Sequence, residues 1–201
     1  MLRYGLTGGI ASGKSAVAAL LREMGFPVLD ADALAHKLME PGQSAREEIL
    51  QEFGADLAGA DGRIDRAKLG AIVFADPAKL KKLNAILHPP VEQIMLEQFE
   101  EWKRSGVRDA AFVEAALLVE AGFVSRLDGL VVAWCKPEQQ LERLKARGMN
   151  EQDAKRRIAA QLPLEEKLRM ATSTIDCSGT MESTRTQVQA LAAKLRKSAA
   201  S

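Results

Sequence analysis

The residues that most clearly indicate chemistry form a glycine-rich stretch near the start of the chain. From Gly8 to Ser15 the sequence is Gly-Gly-Ile-Ala-Ser-Gly-Lys-Ser, which fits the pattern G-x-x-x-x-G-K-S. In such a loop the backbone N–H groups converge on phosphate oxygens, and the positive end of the following helix adds to the attraction. The pattern predicts a nucleoside triphosphate site, where Lys14 contacts the β and γ phosphates and the Ser15 hydroxyl coordinates Mg²⁺.

The residues on either side of this loop support the interpretation. The apolar residues before it have the spacing of a strand, and residues 16–21 suit a helix. Gly8 and Gly13 fit the loop because a Cβ atom at either position would block positive φ or close approach to a ligand. The alternative is a glycine-rich turn with an incidental lysine, but the strand and helix context favours the phosphate loop.

Two carboxylates follow the next predicted strand. Residues 26–29 form a short strand that ends at Asp30-Ala31-Asp32. Open α/β sheets bind ligands at the carboxyl ends of their strands, so Asp30 and Asp32 are candidates for a general base or a metal-linked acid. Alternatively, one of them only caps the helix predicted from Ala33 to Leu38.

A third acid lies at the end of another predicted strand. Residues 110–113 are apolar and are followed by Glu114. In phosphate-loop proteins an acid at this place supports Mg²⁺ through water or orients the loop lysine, here Lys14. The alternative is an ordinary carboxylate at a strand end. Residues 117–123, which mix apolar side chains with Glu120, predict a wall of the substrate site because they follow that strand end.

A charged helical segment later in the chain carries candidates for neutralising phosphate charge. Arg143 and Arg147 lie four residues apart and therefore share one face of a predicted helix, and Arg157 lies on the next one. Arginines on such a hairpin can close over a triphosphate and stabilise the charge that builds up in the transition state. The alternative is a solvated charged hairpin, because acids are interspersed among the basic residues.

The strand pattern predicts an α/β protein with a mostly parallel sheet. Residues 130–134 are a continuous apolar run, typical of a parallel strand covered on both faces. Residues 174–176 form a last short strand, residues 181–197 a final helix, and residues 198–201 a frayed tail.

Between the second and third strands the pattern is helical. Asp76-Pro77 predicts the start of a helix that ends at His88-Pro89-Pro90, and an apolar stripe from Val91 to Trp102 predicts another. A single histidine before two prolines is more often structural than a ligand contact, so His88 alone indicates little.

Composition excludes several classes of protein. The 28 Lys and Arg residues are balanced by 27 Asp and Glu, so the net charge is too small to attract the chain to nucleic acid or to a membrane surface. Cys135 and Cys177 are too few for a disulfide framework or a zinc site. No apolar run approaches a membrane-spanning length, and Met1-Leu2-Arg3 leads directly into the first strand. We expect a soluble cytoplasmic protein.

The sequence resembles the dephospho-coenzyme A kinase family over nearly its whole length. The most specific block is D-A-D-A-L-A-H-K-L-M-E-P-G (30–42), in register behind the phosphate loop. The others are L-H-P (87–89), L-L-V-E-A-G-F (117–123), R-L-K-A-R-G-M (143–149), R-R-I-A-A-Q (156–161) and I-D-C-S-G (175–179).

The resemblance implies a three-layer P-loop kinase fold with a helical substrate-binding insertion and a helical lid. The core would comprise residues 1–32, 106–136 and 171–201, the insertion about 33–105 and the lid hairpin about 137–170. It implies Mg²⁺-dependent transfer of phosphate from ATP to the ribose 3′-hydroxyl of dephospho-coenzyme A, the last step of coenzyme A biosynthesis. We expect a monomer or a weak homo-oligomer.

The resemblance also assigns site residues. It implies that Asp32 is the base and that Lys14 and Arg143, the lid arginine, act with it. The implied ATP contacts are Gly8, Gly9, Ala11, Ser12, Gly13, Lys14, Ser15, Ala16, Arg143, Arg147 and Cys177. The implied acceptor contacts are Thr7, Asp32, His88, Leu117, Glu120, Arg157 and Gln161.

Three positions depart from the family pattern. Ala116 stands where proline is usual, Cys177 where asparagine is usual and Thr172 where an acid is usual. The residues alone leave two alternatives: a kinase on the same core that acts on a nucleoside, nucleotide or sugar, and a nucleotide-dependent switch. The sequence has no Asn-Lys-x-Asp segment for reading guanine, which argues against a GTPase switch.

Overall fold

A parallel sheet carries the phosphate loop. The computed structural model describes residues 1–200 and the side chains of residues 1–197, and in them the sheet has five strands. They are β1 (Leu2–Thr7), β2 (Val28–Asp30), β3 (Ala110–Glu114), β4 (Gly129–Trp134) and β5 (Ser173–Asp176). Their order is β2-β3-β1-β4-β5 and every pairing is parallel, which confirms the predicted α/β fold.

Helices connect these strands and follow the last of them. They are α1 (Lys14–Glu23), α2 (Ala31–Leu38), α3 (Ser44–Phe53), α4 (Arg66–Phe74), α5 (Pro77–Arg104), α6 (Pro137–Ala146), α7 (Glu151–Ala159), α8 (Leu164–Met170) and α9 (Met181–Ala200). Short 3₁₀ turns lie at Ala55–Leu57 and Phe123–Arg126. No helix among the described residues combines the length and the apolar character needed to cross a bilayer.

The central strands are buried on both faces. Leu6, Phe112 and Val131 join the core formed with α1 and α9. Because side chains alternate along a strand, their buried neighbours Val113 and Val132 lie on the opposite face. Burial of both faces explains the nearly continuous apolar runs of β3 and β4.

The chain divides into two compact units. The first contains Met1–Asp30 and the residues from Leu96 onward, and the second is Ala31–Met95. The first unit includes the whole sheet. The second has its own apolar core, formed by helical and loop residues: Leu38, Met39, Ala45, Ile49, Leu57, Ile64, Leu69, Val73 and Leu87.

The predicted break at Pro89-Pro90 is wrong, since α5 continues through both prolines. Proline lacks an N–H and crowds the preceding turn, which normally ends or kinks a helix. Leu87 lies before the prolines, and Val91 and Ile94 lie after them, yet all three pack on the same core. This burial on both sides of the prolines offsets the lost hydrogen bonds.

Two other helix predictions also need correction. The segment predicted as a two-helix hairpin contains a third helix, α8, before β5. The last helix, predicted to end at residue 197, extends to Ala200, and Ser201 lies outside the described residues.

Candidate active site

The phosphate loop joins β1 to α1 and is closely surrounded by neighbouring chain. A Cβ atom at Gly8 would lie 2.3 Å from the carbonyl oxygen of Ala133, and one at Gly13 would lie 2.7 Å from the Cβ of Cys177. Gly13 also has a φ of +107°, in the left-handed region that favours glycine. The geometry therefore requires glycine at both positions.

Alanine at position 13 is expected to be more destabilising than alanine at position 25. Gly13 and Gly25 both have positive φ, so each substitution carries left-handed strain of about 1–2 kcal/mol. The space around Gly25 is open, whereas a Cβ at Gly13 would overlap Cys177. We expect Gly13→Ala to lower the free energy of unfolding by about 1–3 kcal/mol more than Gly25→Ala, as measured by urea denaturation. Equal losses would contradict the steric argument.

The middle of the loop has a strained backbone. Among the described residues, Ala11 is the one residue other than glycine with positive φ, at 59°. Its carbonyl oxygen accepts a hydrogen bond from Nη1 of Arg143 at 3.1 Å and lies 3.8 Å from Sγ of Cys135. Such strain is common at ligand-binding sites, where surrounding contacts fix an unfavourable conformation.

Three side chains that follow β4 in sequence also bind the loop or its surroundings. Oε1 of Gln161 accepts a hydrogen bond from the Ile10 N–H at 2.7 Å, and Nε2 of Gln140 donates to the Ile10 carbonyl at 2.8 Å. Nη2 of Arg143 donates to the Cys177 carbonyl at 2.8 Å. The structure thus brings Arg143 and Gln161 to the loop. Gln140 was not predicted, because it lies 130 residues from its partner and no motif marks it.

Glu114 lies at the carboxyl end of β3 and pairs with two cations. Its side chain is 3% exposed, and its oxygens lie 3.3 Å from Nζ of Lys14 and 2.8 Å from Nη2 of Arg22. A buried carboxylate needs such partners because desolvation disfavours its charge. This geometry fits orientation of Lys14, one of the two roles predicted for Glu114. Arg22 was not predicted, because 92 residues separate it from Glu114.

Hydrogen bonds hold the predicted substrate wall, residues 117–123, at Ala116 just before it and at Glu120 within it. Oγ1 of Thr7 donates a hydrogen bond to the Ala116 carbonyl at 3.3 Å. Oε1 of Glu120 accepts from the Leu162 N–H at 2.9 Å and lies 2.9 Å from Nζ of Lys167. The segment that follows β3 is therefore anchored to β1 and to residues near α8.

The remaining predicted residues of the first unit differ in exposure. Ser12 is buried, and within the described part of the chain its hydroxyl has no hydrogen-bond partner. A buried hydroxyl without a partner is unfavourable, and a bound phosphate oxygen would relieve that cost. Ser15 is exposed in the first turn of α1, Leu117 is half-buried, and Arg147 and Arg157 are exposed.

Cys177 provides neutral packing beside the loop. Burial raises the pKa of its thiol to about 11, although the charge of Arg143 opposes the change. Burial likewise raises the pKa of Cys135. Both thiols are therefore protonated at neutral pH, and the Cys177 side chain fills the space next to Gly13.

Asp30 and Asp32 occupy different structural positions. Asp30 ends β2 and is the register partner of Glu114 in β3, so two carboxylates lie side by side at this edge of the sheet. Asp32 belongs to the second unit, where it is half-buried in the first turn of α2. Because α2 begins at Ala31 and not at Ala33, Asp32 lies inside the helix and is not its N-cap.

His88 is half-buried within α5 and makes the second unit sensitive to pH. Burial lowers the pKa of its imidazole from 6.5, and the charge of Glu92 partly opposes this. The unfolded chain therefore binds the proton more readily, so stability is full above pH 6.5 and falls as the pH drops below it. Between about pH 7.5 and 5.5 we expect wild type to lose more stability than His88→Gln. Urea denaturation at both pH values checks this, and identical losses would refute it.

The fold and the loop together define the class of protein. A parallel sheet of order β2-β3-β1-β4-β5, with a phosphate loop between β1 and α1, is a P-loop kinase fold. The family model described as dephospho-CoA kinase matches residues 2–183. The chain belongs to the dephospho-CoA kinase family, which confirms the prediction from its sequence blocks.

Individual relatives agree over nearly their full lengths. A dephospho-CoA kinase of Geobacillus kaustophilus is 47% identical over 191 residues, which cover 94% of each chain. The crystal structure of TT1252 from Thermus thermophilus has a TM-score of 0.80 and 38% identity, with 96% of this chain and 97% of that one covered. The dephospho-CoA kinase from Campylobacter jejuni has a TM-score of 0.71 and 28% identity, with 98% of both chains covered.

Proposed function

We propose that the protein transfers the γ-phosphoryl group of ATP to the ribose 3′-hydroxyl of dephospho-coenzyme A, giving ADP and coenzyme A. This is the last step of coenzyme A biosynthesis. The observation that carries the proposal is the phosphate loop, whose Lys14 pairs with Glu114 at the end of the adjacent strand. Family membership over residues 2–183 supports the choice of acceptor.

The triphosphate binds to the loop and to the start of α1. Gly13 is the N-cap of α1 and has no side chain that could compete with a phosphate for the amides of the first turn. Lys14 then contacts the β and γ phosphates while Arg22 continues to neutralise Glu114. The proposed contacts are Gly8, Gly9, Ala11, Ser12, Gly13, Lys14, Ser15, Ala16, Arg143, Arg147 and Cys177.

Ser15 would hold Mg²⁺ together with the phosphate oxygens. Mg²⁺ usually takes one or two protein oxygens, and waters and phosphates complete its six ligands. The residues fit such a site, because Ser15 is exposed in the first turn of α1 and the Glu114 carboxylate lies beside Lys14, where it can act through water. Described residues show no cluster of three or more His, Cys, Asp or Glu that could form a protein cage. When bound, the ion neutralises charge on the β and γ phosphates.

Asp32 is the proposed base on the acceptor side. A ribose hydroxyl is a poor nucleophile at neutral pH, and a carboxylate can orient it and accept its proton as the bond to phosphorus forms. The insertion, residues of about 33–105, and the lid, residues of about 137–170, would exclude water that could otherwise accept the phosphoryl group. The proposed acceptor contacts are Thr7, Asp32, His88, Leu117, Glu120, Arg157 and Gln161.

The substrates are the proposed partners, and the setting is the cytoplasm. Because 28 basic residues are nearly balanced by 27 acidic ones, the protein should bind its partners through local sites and not through its net charge. Neither nucleic acid nor a membrane is a proposed partner. The proposed assembly is a monomer or a weak homo-oligomer.

An acceptor panel tests the function. ADP release is measured with dephospho-coenzyme A, nucleosides, nucleotides and sugars, and mass spectrometry with phosphorus NMR locates the new phosphate. We expect turnover with dephospho-coenzyme A and phosphate on the 3′-oxygen. Preferred phosphorylation of another acceptor would indicate a different small-molecule kinase. Slow hydrolysis that no acceptor accelerates would indicate a nucleotide-dependent switch.

A further inference from the structure

Lys167 is a lysine without solvent-exposed surface in the first unit. It lies in α8 and its relative exposure is 0%. Burial of an ammonium group is unfavourable unless the group is paired and hydrogen-bonded. Nζ of Lys167 meets both conditions, because it donates to the Ala116 carbonyl at 2.8 Å and lies 2.9 Å from Oε1 of Glu120.

The two partners of Lys167 lie at the two ends of one short segment. Ala116 and Glu120 bound the segment 116–120, which follows the carboxyl end of β3. Oε1 of Glu120 also accepts the Leu162 N–H at 2.9 Å. Lys167 therefore holds both ends of the segment 116–120 against α8, and Glu120 also joins this segment to the turn before α8.

The buried groups around Lys167 keep other partners when the lysine is removed. The Ala116 carbonyl still accepts from Oγ1 of Thr7 at 3.3 Å. The Glu120 side chain is 20% exposed and still accepts from the Leu162 N–H. Removing one partner of a buried ion pair is costly when the other charge is left buried and unpaired, but the remaining Glu120 carboxylate is partly exposed to water and keeps its backbone donor. A contribution to the stability of the fold therefore does not explain a lysine at this position, whereas control of the position of the segment 116–120 does.

We propose that Lys167 is a positioning residue for acceptor binding, which holds the segment 116–120 where Leu117 and Glu120 can contact dephospho-coenzyme A. The inference rests on the proposed function, in which these two residues contact the acceptor. The phosphate loop is held by other side chains, namely Gln140, Arg143 and Gln161. The effect of Lys167 should therefore fall on the acceptor and leave ATP binding unchanged.

The direct test is Lys167→Met, which keeps the length of the side chain and removes the ammonium group. We expect the KM for dephospho-coenzyme A to rise roughly tenfold, because misplacement of a substrate contact by about 1 Å weakens productive binding. The KM for ATP and the urea midpoint should stay close to those of wild type. Lys145→Met is the matched control, since Lys145 forms an exposed pair with Glu151 at 3.3 Å.

The outcomes separate this inference from the proposed function. If wild type does not phosphorylate dephospho-coenzyme A, the proposed function fails. If wild type does phosphorylate dephospho-coenzyme A, two results would refute the positioning role. One is a folded Lys167→Met variant with an unchanged KM for dephospho-coenzyme A, and the other is an equal rise in its KM for ATP. If Lys167→Met does not fold, Lys167→Arg replaces it. Arginine keeps the charge but cannot reproduce the point contacts of an ammonium group, so we expect a smaller rise in acceptor KM, of roughly threefold. An unchanged value would refute the role.

Discussion

Asp32→Asn is expected to lower kcat by about 10²–10⁴-fold and to leave the affinity for ATP nearly intact. Asparagine keeps the size and polarity of the side chain but cannot accept a proton from the ribose hydroxyl. The hydrogen bonds that hold the phosphate loop through Gln161 and Arg143 do not involve Asp32, so the substitution leaves them in place. Rapid-quench turnover and calorimetric titration with ATP measure the two quantities.

The matched control for Asp32 is Asp56→Asn. Asp56 is an exposed acid of the same unit in the 3₁₀ turn Ala55–Leu57, and its substitution should leave kcat unchanged. Turnover of Asp32→Asn near the wild-type rate would exclude Asp32 as the base. In that case Asp30 becomes the candidate, because it lies beside Glu114 in the register of β2 and β3.

The phosphate loop and the sheet could be predicted because their signals are local. Gly8, Gly13 and Lys14 stand in a fixed pattern between an apolar strand and a helix, and eight consecutive residues contain the whole signal. The apolar run of β3 likewise ends at Glu114, which places an acid beside the loop once the strands are parallel. The structure confirms both elements, since β1, the loop and α1 follow in that order.

The partners of the predicted residues could not be obtained in the same way. Arg22 and Lys167 carry no motif, and their pairing depends on which strands and helices become neighbours in the fold. A lysine in α8 has the sequence signature of an exposed helical residue, and its complete burial follows only from packing. Tertiary contacts therefore decide how the acids Glu114 and Glu120 are neutralised.

The continuity of α5 illustrates a different limit. Local rules place a helix end before Pro89-Pro90, because proline removes donors and crowds the preceding turn. The sequence pattern predicts the apolar stripe that includes Val91 and Ile94, but it does not show that this stripe continues the same buried face as Leu87. Apolar burial across the prolines outweighs a local preference of about 3 kcal/mol or more. A rule applied to the sequence alone cannot compare the gain from this burial with the cost of the two prolines.

Arg143→Met is expected to reduce kcat by about 10³-fold or more. An arginine that stabilises the transition state of phosphoryl transfer typically contributes at least about 10³-fold to kcat. Its guanidinium already joins the Ala11 carbonyl at 3.1 Å and the Cys177 carbonyl at 2.8 Å. These two bonds hold a positive charge beside the loop before substrate arrives, so little reorganisation is needed in the transition state. Arg143→Lys should recover only part of the loss, because one ammonium group cannot reproduce two diverging donors.

Removal of Arg143 also frees the strained backbone of Ala11, so a second measurement must separate charge from loop geometry. If the charge dominates, Arg143→Met binds ADP almost as tightly as wild type and loses rate in single-turnover experiments, because ADP lacks the transferring phosphoryl group. If loop geometry dominates, ADP affinity falls in parallel with rate and Arg143→Lys gives no recovery. Arg156→Met is the control: Arg156 forms an exposed pair with Asp153 at 2.9 Å, and its loss should change neither quantity. A wild-type kcat in Arg143→Met would remove Arg143 from the proposed mechanism and leave Lys14 as the principal charge proposed to contact the phosphates.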